Sequence, residues 1–386
     1  MDFRETDEQR ALRAAVAALA AKYGHGYWVE RAKRGERTDE LWREAGQLGY
    51  LGVAVPERYG GGGGGITELA IVCEELAAGG CPLLLIVVSP AIAATVIAKS
   101  GTEEQRKTWL PGFADGSTRM SFAITEPDAG SNAHNITTTA RRDGDGDGWR
   151  LSGRKYYISG VDETDATLVV ARIEDARTGK PRPAMFIVPT DAPGYERHEI
   201  SMEITSPERQ YTLFFDDVKL PGDALVGGED AGLAALFAGL NPERITVAAY
   251  ATGIGRHALG KANEYARTRT VWGDPIGTHQ AIAHPLAKAH VELELARLAV
   301  QRAAWAYDSD DASAAEAANI AKYAAGEAVI NAVDTAVQTH GGNGMATEYG
   351  VGTLWAAARV ARIAPISREM ILNFVAQHSL GLPKSY

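Results

Sequence analysis

Residues 5 to 115 carry apolar side chains in runs that suit helices separated by turns. Thr6 caps a run ending at 22, Thr38 caps a run ending at 48, and further helices are expected over 67–78, 90–99 and 102–113. From about residue 120 the pattern shortens to β-branched or alternating stretches bounded by turn residues, which predicts strands over 121–124, 136–141, 149–152, 156–159, 166–173, 184–188 and 211–216. After Gly232 the helical pattern returns, with blocks over 242–269, 282–307, 312–340 and 367–378. Blocks of that length suit bundle helices, and a core stripe is expected through Leu286, Ala289, Leu293, Leu295, Leu298 and Arg302. The expected domains are therefore 1–118 (all-α), 119–230 (β) and 231–386 (helical bundle).

Three stretches need a closer reading. The six glycines at 60–65 lack a following Lys-Ser/Thr and no strand precedes them, so they read as a flexible surface loop and not as a phosphate cradle. Asp143-Gly144-Asp145-Gly146-Asp147-Gly148 has the opening of a calcium loop, but the twelfth position is Arg154 where a bidentate carboxylate is needed, so a β-turn is expected. Asn241 suits an N-cap and Pro242 the first helical position, which places Glu243 in the first turn of a segment too apolar to be exposed. Such an acid either complements the helix dipole or does chemistry.

Composition narrows the classes. The net charge of -10, with no run of Lys or Arg, excludes a nucleic-acid surface. Cys73 and Cys81 have no metal-ligand spacing, the nine histidines are scattered, and neither HExxH, GxSxG, Walker nor GxGxxG occurs in a supporting context, so no metal is expected. The acidic N-terminus is not a signal peptide and the longest apolar run, 81–88, is too short to cross a bilayer, so a soluble, cytoplasmic protein without membrane association is expected.

Five stretches, in order and spanning nearly the whole chain, resemble motifs of the acyl-CoA dehydrogenase superfamily. They are Phe122-Ala123-Ile124-Thr125-Glu126-Pro127-Asp128-Ala129-Gly130-Ser131, Leu151-Ser152-Gly153-Arg154-Lys155-Tyr156-Tyr157-Ile158-Ser159, Phe214-Phe215-Asp216-Asp217-Val218-Lys219-Leu220-Pro221, the block from Arg267 to Gln280 with Trp272 in place of the usual Phe, and Gln338-Thr339-His340-Gly341-Gly342-Asn343-Gly344. The resemblance implies an α+β fold: an N-terminal helical domain, a middle β-barrel or sandwich, and a C-terminal four-helix bundle. It also implies a non-covalent FAD against Phe122, Ile124, Thr125, Gly130, Ser131, Tyr157, Ser159 and Ser367. Arg269, Trp272, Gln280, Gln338 and Gly342 are expected to meet a neighbouring subunit's FAD, in a homotetramer.

Many members of that family carry a catalytic Glu just after the Gly-Gly-Xaa-Gly turn, where this chain has Ala364-Pro365-Ile366-Ser367 and no carboxylate. Members of the isovaleryl and long-chain type carry it instead in an Asp/Asn-Xaa-Glu-Arg pattern, which Asn241-Pro242-Glu243-Arg244 matches. The resemblance thus makes Glu243 the base that takes the α-proton of an acyl-CoA, with Asn241, Arg244 and Ser131 on the substrate side and electrons leaving to an electron-transfer flavoprotein. Pro365 falls where the family places a backbone N–H on the thioester carbonyl; proline has none, so Ile366 or Ser367 is expected to supply it. Three alternatives stay open: the same chemistry on a thioester of an acyl- or peptidyl-carrier protein, a flavin oxidase or monooxygenase of the same fold, and a non-catalytic, FAD-free relative.

Overall fold

The computed structural model describes residues 4–144, 146–175, 178–228 and 232–384, with side chains left aside at 232–237. Helix α1 (Asp7–Arg34) opens with a capping box in which Thr6 accepts from the Gln9 N–H and Gln9 returns to the Thr6 N–H. It does not stop at 22. Gly24 takes φ 72° and kinks the helix, which then continues far enough to bury His25 and Trp28, and ends at Gly35 in the left-handed region. Helices α2 (Asp39–Gln47), α3 (Ile66–Ala78), α4 (Leu84–Val88), α5 (Thr95–Ser100) and α6 (Glu103–Asp115) follow, with a wide π-helical turn over Ser89–Ala94 joining α4 to α5. The expected helix over 90–99 is thus the second half of a longer helical stretch.

The glycine run is tied down, contrary to expectation. The N–H groups of Gly62, Gly63 and Gly64 donate to the carbonyls of Gly52, Val55 and Val53 at 2.9, 3.0 and 2.9 Å. A Cβ on Gly61 would stand 2.1 Å from the Val55 carbonyl oxygen, and one on Gly65 2.4 Å from the Asp308 carboxyl. Asp308 in turn caps α3, accepting from the N–H groups of Ile66 and Thr67 at 2.8 and 2.9 Å. The glycines are there because two pieces of backbone and a distant carboxylate approach too closely for side chains.

The middle of the chain forms one seven-stranded sheet: β1 (Met120–Ala123), β2 (Thr139–Arg142), β3 (Trp149–Ser159), β4 (Ala166–Glu174), β5 (Pro181–Pro189), β6 (Tyr195–Ile200) and β7 (Gln210–Leu220), ordered β1-β4-β2-β3-β7-β6 with β5 paired to β4. The β1–β4 and β2–β4 pairings are parallel; the others are antiparallel. The two strands expected at 149–152 and 156–159 are halves of β3, broken by irregularities at 151–153 and 155–158, where Tyr157 adopts φ 58°. Strand β6 escaped detection because Glu196, Arg197, His198 and Glu199 all face solvent. The Asp-Gly repeat is the turn between β2 and β3, closed by the Asp143 N–H on the Gly148 carbonyl at 3.0 Å; Asp145 lies outside the described residues. Among the described residues no acidic, His or Cys group is placed to hold a metal.

Helix α7 (Gly232–Thr268) corrects the sequence reading most. It starts upstream of Asn241, so Asn241 is not its cap and Pro242 and Glu243 sit inside the helix. A proline here leaves the carbonyl four residues earlier without its partner. That carbonyl, on Ala238, accepts instead from the Tyr307 hydroxyl at 2.9 Å, and the helix runs on. After a two-strand hairpin, β8 (Thr270–Val271) and β9 (Asp274–Pro275), come α8 (Gln280–Asp308), α9 (Ala314–His340), α10 (Leu354–Ile363) and α11 (Arg368–Phe374). The short α10 was not anticipated; it buries Leu354, Ala357, Ala358 and Ala361, and alanines carry little apolar signal. One continuous apolar core runs from Val16 and Trp28 of α1 through α3 into α7, α8 and α9.

Between these helices lies a buried ion cluster. Glu74 of α3 meets Arg13 of α1 at 2.9 Å, Arg256 of α7 at 3.0 Å and Arg297 of α8 at 2.5 Å, and Glu75 pairs with Arg256 at 2.6 Å. Burial pushes the Glu74 carboxyl up, but the three arginines bring it below its ordinary range.

Replacing Gly61 by Ala is expected to destabilise the protein by about 1–3 kcal/mol, the scale of forced overpacking. Urea unfolding of the variant checks this, and an unchanged midpoint would mean that the connector is as loose as its composition suggested.

Candidate active site

The sheet, the middle of α7 and the segment after α10 enclose a cleft of about 1340 Å³. Leu240, Glu243, Val247 and Tyr250 recur at three- and four-residue steps, so α7 presents one stripe to it. From the sheet side come Phe122, Ile124, Thr125, Gly130, Ser131, Tyr157 and Ser159; from beyond α10 come Pro365, Ile366 and Ser367. Ten of the residues singled out from sequence, Phe122, Ile124, Thr125, Gly130, Ser131, Tyr157, Ser159, Glu243, Arg244 and Ser367, therefore share one cleft although more than two hundred positions separate the ends of the set.

Glu243 is half-buried, and the surface it keeps faces the cleft. Burial pushes its carboxyl up to about 7, against the opposing pull of Arg244 and Lys322. Burial lowers Arg244 as well, while Glu243 holds it up. Its Nη1 donates to the Asn241 side-chain oxygen at 2.9 Å, so Asn241, which does not line the cleft, orients Arg244 from behind. Lys322 of α9 is 2% exposed; burial brings its ammonium down to about 8, Glu243 opposes the fall, and its Nζ donates to the Ile366 carbonyl at 2.5 Å. Sequence reasoning missed Lys322. Its only signal was a lysine among the alanines of a helix face that is otherwise buried.

A pair also missed from sequence stands under the stretch 122–131. Lys155 is fully buried, and its Nζ donates to the Ile124 carbonyl at 3.0 Å and to Glu126 at 2.9 Å. Glu126 also accepts from the N–H groups of Thr137 and Thr138 at 2.6 and 3.0 Å. Burial pushes the Glu126 carboxyl up, but the bonds from Thr138 and Lys155 outweigh it and hold the group at about 2. Burial lowers Lys155 to about 8. The Tyr156 N–H donates to the Thr125 carbonyl at 2.9 Å, so Ile124 and Thr125 are pinned from two sides.

The hydroxyls of Thr125 and Ser131 make no hydrogen bond among the described residues, and a Cβ on Gly130 would meet nothing within 4 Å. Tyr157, 51% exposed and tilted against Tyr156 with ring centroids 4.2 Å apart, adds an open aromatic face. Free short donors, an aromatic face and room for close approach suit a planar, hydrogen-bonding ring system such as a flavin. Ser159 already donates to Gln210 at 3.0 Å, and Ser367 caps α11 by accepting from the Met370 N–H at 3.3 Å, so each has only part of its capacity left. The N–H groups of Ile366 and Ser367 have no partner among the described residues.

The remaining expected cofactor residues do not join this cleft. Arg269, Trp272, Gln280, Gln338 and Gly342 are all exposed, Trp272 at 89%, around the hairpin after α7 and the turn after α9. Asn343 of that turn donates to the Tyr265 hydroxyl at 3.0 Å and so fixes it against the end of α7.

Models of three parts of one family match in sequence: the acyl-CoA dehydrogenase N-terminal domain over residues 6–117, the middle domain over 121–218 and the C-terminal domain over 230–380. The chain belongs to the acyl-CoA dehydrogenase family. The acyl-CoA dehydrogenase FadE12 of Mycobacterium tuberculosis is 63% identical over 385 residues, covering 100% of this chain and 99% of that protein. Butyryl-CoA dehydrogenase from Megasphaera elsdenii superposes with a TM-score of 0.92 at 30% identity, covering 98% of this chain and 100% of that one. A glutaryl-CoA dehydrogenase from Mycobacterium smegmatis, in complex with FADH2, does so with a TM-score of 0.89 at 27% identity, covering 99% and 96%. The family is FAD-dependent, and this protein is an acyl-CoA dehydrogenase with its fold of helical, β and helical domains.

Lys155→Met would leave Glu126 as a buried carboxylate without its cation, and a loss of about 3–5 kcal/mol in stability is expected. Thermal unfolding measures the loss, and a melting point within a degree or two of wild type would show that the pair does not anchor the motif.

Proposed function

We propose that Glu243 is the base of this acyl-CoA dehydrogenase. The reading is carried by its position: a carboxylate in mid-helix, facing a cleft beside the residues suited to a flavin, with its pKa raised to about 7 by burial. A base of that pKa is near half ionised at neutral pH and still strong enough to accept a proton. Glu243 takes the α-proton of the acyl thioester as the double bond forms between the α- and β-carbons. FAD, when bound, supplies the acceptor for the β-hydrogen as hydride, so the product is a trans-2-enoyl thioester. Arg244 and Lys322 hold the carboxylate's charge before the proton arrives. The free N–H groups of Ile366 and Ser367 are the donors for the thioester carbonyl, taking the part that Pro365 cannot. Thr125 and Ser131 offer the hydroxyls for the flavin edge and the carrier arm.

The exposed set of Arg269, Trp272, Gln280, Gln338 and Gly342 is half of a site that a second copy of the chain completes around the FAD pyrophosphate, which supports the homotetramer expected of the family. Reducing equivalents then leave to an electron-transfer flavoprotein. CoA is the carrier favoured here, since the chain's relatives are named for CoA thioesters and its net charge of -10 offers no basic face to an acidic carrier protein. No helix among the described residues is long and apolar enough to cross a membrane, which is in keeping with a cytoplasmic enzyme.

Glu243→Gln is expected to keep the flavin absorbance and thioester binding while slowing flavin reduction by at least about a hundredfold, the usual scale for a lost general base. Because the base must be ionised, the wild-type reduction rate should rise with pH through about 7 and level off above it. Stopped-flow reduction across that range tests both. A variant reducing flavin at the wild-type rate would leave Glu243 without a catalytic part.

Arg269→Ala removes a charge-assisted partner of phosphate at a subunit contact, so FAD retention and oligomer size should fall together. Gel filtration with flavin absorbance reads both. Full occupancy in an intact oligomer at low added FAD would refute the shared site.

A further inference from the structure

Tyr250 follows Glu243 by seven positions on α7, which sets them about 10 Å apart along the helix axis at 1.5 Å per residue, with Val247 between them on the same face. Leu84, Val87 and Val88 line the cleft along with Val247, whereas Leu240 lies on the other side of Glu243, so the lining beside this stretch of α7 is apolar. Its far end is not. Tyr250 is only 8% exposed, lines the cleft, and its phenol hydroxyl makes no hydrogen bond among the described residues. Beside it stands Glu208, 4% exposed and also in the lining, whose oxygens accept from the Leu84 N–H at 2.8 Å and from the Ser206 hydroxyl at 2.9 Å. Both groups line the cleft; burial raises the Glu208 carboxyl and also the Tyr250 phenol, which the Glu208 charge raises further. The Tyr250 hydroxyl is not among the buried side-chain atoms that lack a partner, so it opens onto the cleft, where a ligand group can take its hydrogen bond.

We infer that Tyr250 and Glu208 close the acyl arm of the cleft and select short acyl thioesters that carry a hydrogen-bonding group, a hydroxyl or a carbonyl, at the far end of the chain. The inference rests on the reading of Glu243 as base, since that fixes where the α-carbon sits. Helical side chains lean toward the N-terminus, so the Tyr250 ring covers the turn before it and leaves room for a chain of roughly four to six carbons beside Val247. A plain alkyl end of that length would leave the phenol unpartnered, whereas a distal oxygen would satisfy it. Sites built to hydrogen-bond a substrate oxygen reject the analogue that lacks it far more strongly than apolar pockets distinguish chain lengths.

The test uses the FAD-loaded enzyme and follows anaerobic flavin bleaching with three CoA thioesters: hexanoyl, 6-hydroxyhexanoyl and decanoyl. The wild-type enzyme should favour the hydroxylated chain over hexanoyl by at least about tenfold in reduction rate over Kd, and reject decanoyl. In Tyr250→Phe the ratio between the two six-carbon chains should collapse toward one; in Tyr250→Ala decanoyl should become a reductant. A wild-type ratio near one, which needs no variant, overturns the inference alone, as does a ratio that Tyr250→Phe leaves unchanged. Failure of every thioester to bleach a flavin-replete enzyme overturns the dehydrogenase site as well.

Discussion

The geometry of the cleft depends on a cluster of charges that never touches it. Glu74 and Glu75 lie almost fully buried on α3, and the arginines that neutralise them come from α1, α7 and α8. Two carboxylates in an apolar interior are tolerable only with their cations in place, and losing one partner of such a group usually costs about 3–5 kcal/mol. The four helices are thereby held in one rotational setting. A rotation of α7 about its axis would pull Arg256 out of the cluster and turn Leu240, Glu243, Val247 and Tyr250 away from the cleft together. Apolar packing of alanine-rich faces could tolerate such a slip; the ion cluster does not.

Within the cleft, the same low polarity acts on both signs of charge. It lifts the Glu243 carboxyl to about 7 and lowers the Lys322 ammonium to about 8, so acid and base approach one another in proton affinity. Lys322 also grips the carbonyl of Ile366, the residue whose N–H faces the reacting carbonyl in our reading. One buried lysine therefore ties the wall segment at 364–367 to α9 while its charge acts on Glu243. Glu126 and Lys155 do the corresponding work on the opposite side, where the ion pair supports the Ile124–Thr125 backbone.

The order of helical, β and helical domains was legible because period and turn residues change sharply near residues 118 and 230. The cleft residues were legible through motifs whose members the fold brings together. What escaped was decided by contacts distant in sequence. Nothing near residue 61 announces that Val55 and Asp308 crowd the glycines. The polar face of β6 hides a strand that exists because β7 offers it hydrogen bonds. Lys155 and Lys322 look like ordinary surface lysines until their partners from other segments are seen, the Glu126 carboxylate for one and the Ile366 carbonyl for the other. The start of α7 was misplaced because Asn241-Pro242 has the local chemistry of a helix start, and only the Tyr307 hydroxyl, more than sixty residues on, makes a continuing helix acceptable.

That last contact also bears on motion. A carboxylate in the first turn of a helix sits on a segment that frays, with its backbone opening at little free energy. In this chain the tyrosine that takes over the Ala238 carbonyl lets α7 pass through the proline, so Glu243 belongs to the interior of a rod clamped by α8 and α9. Its Cα can shift only as the bundle shifts. Adaptation to different acyl groups must then come from the facing walls, the π-helical turn at Ser89–Ala94 and the segment at 364–367, while Glu243 stays still.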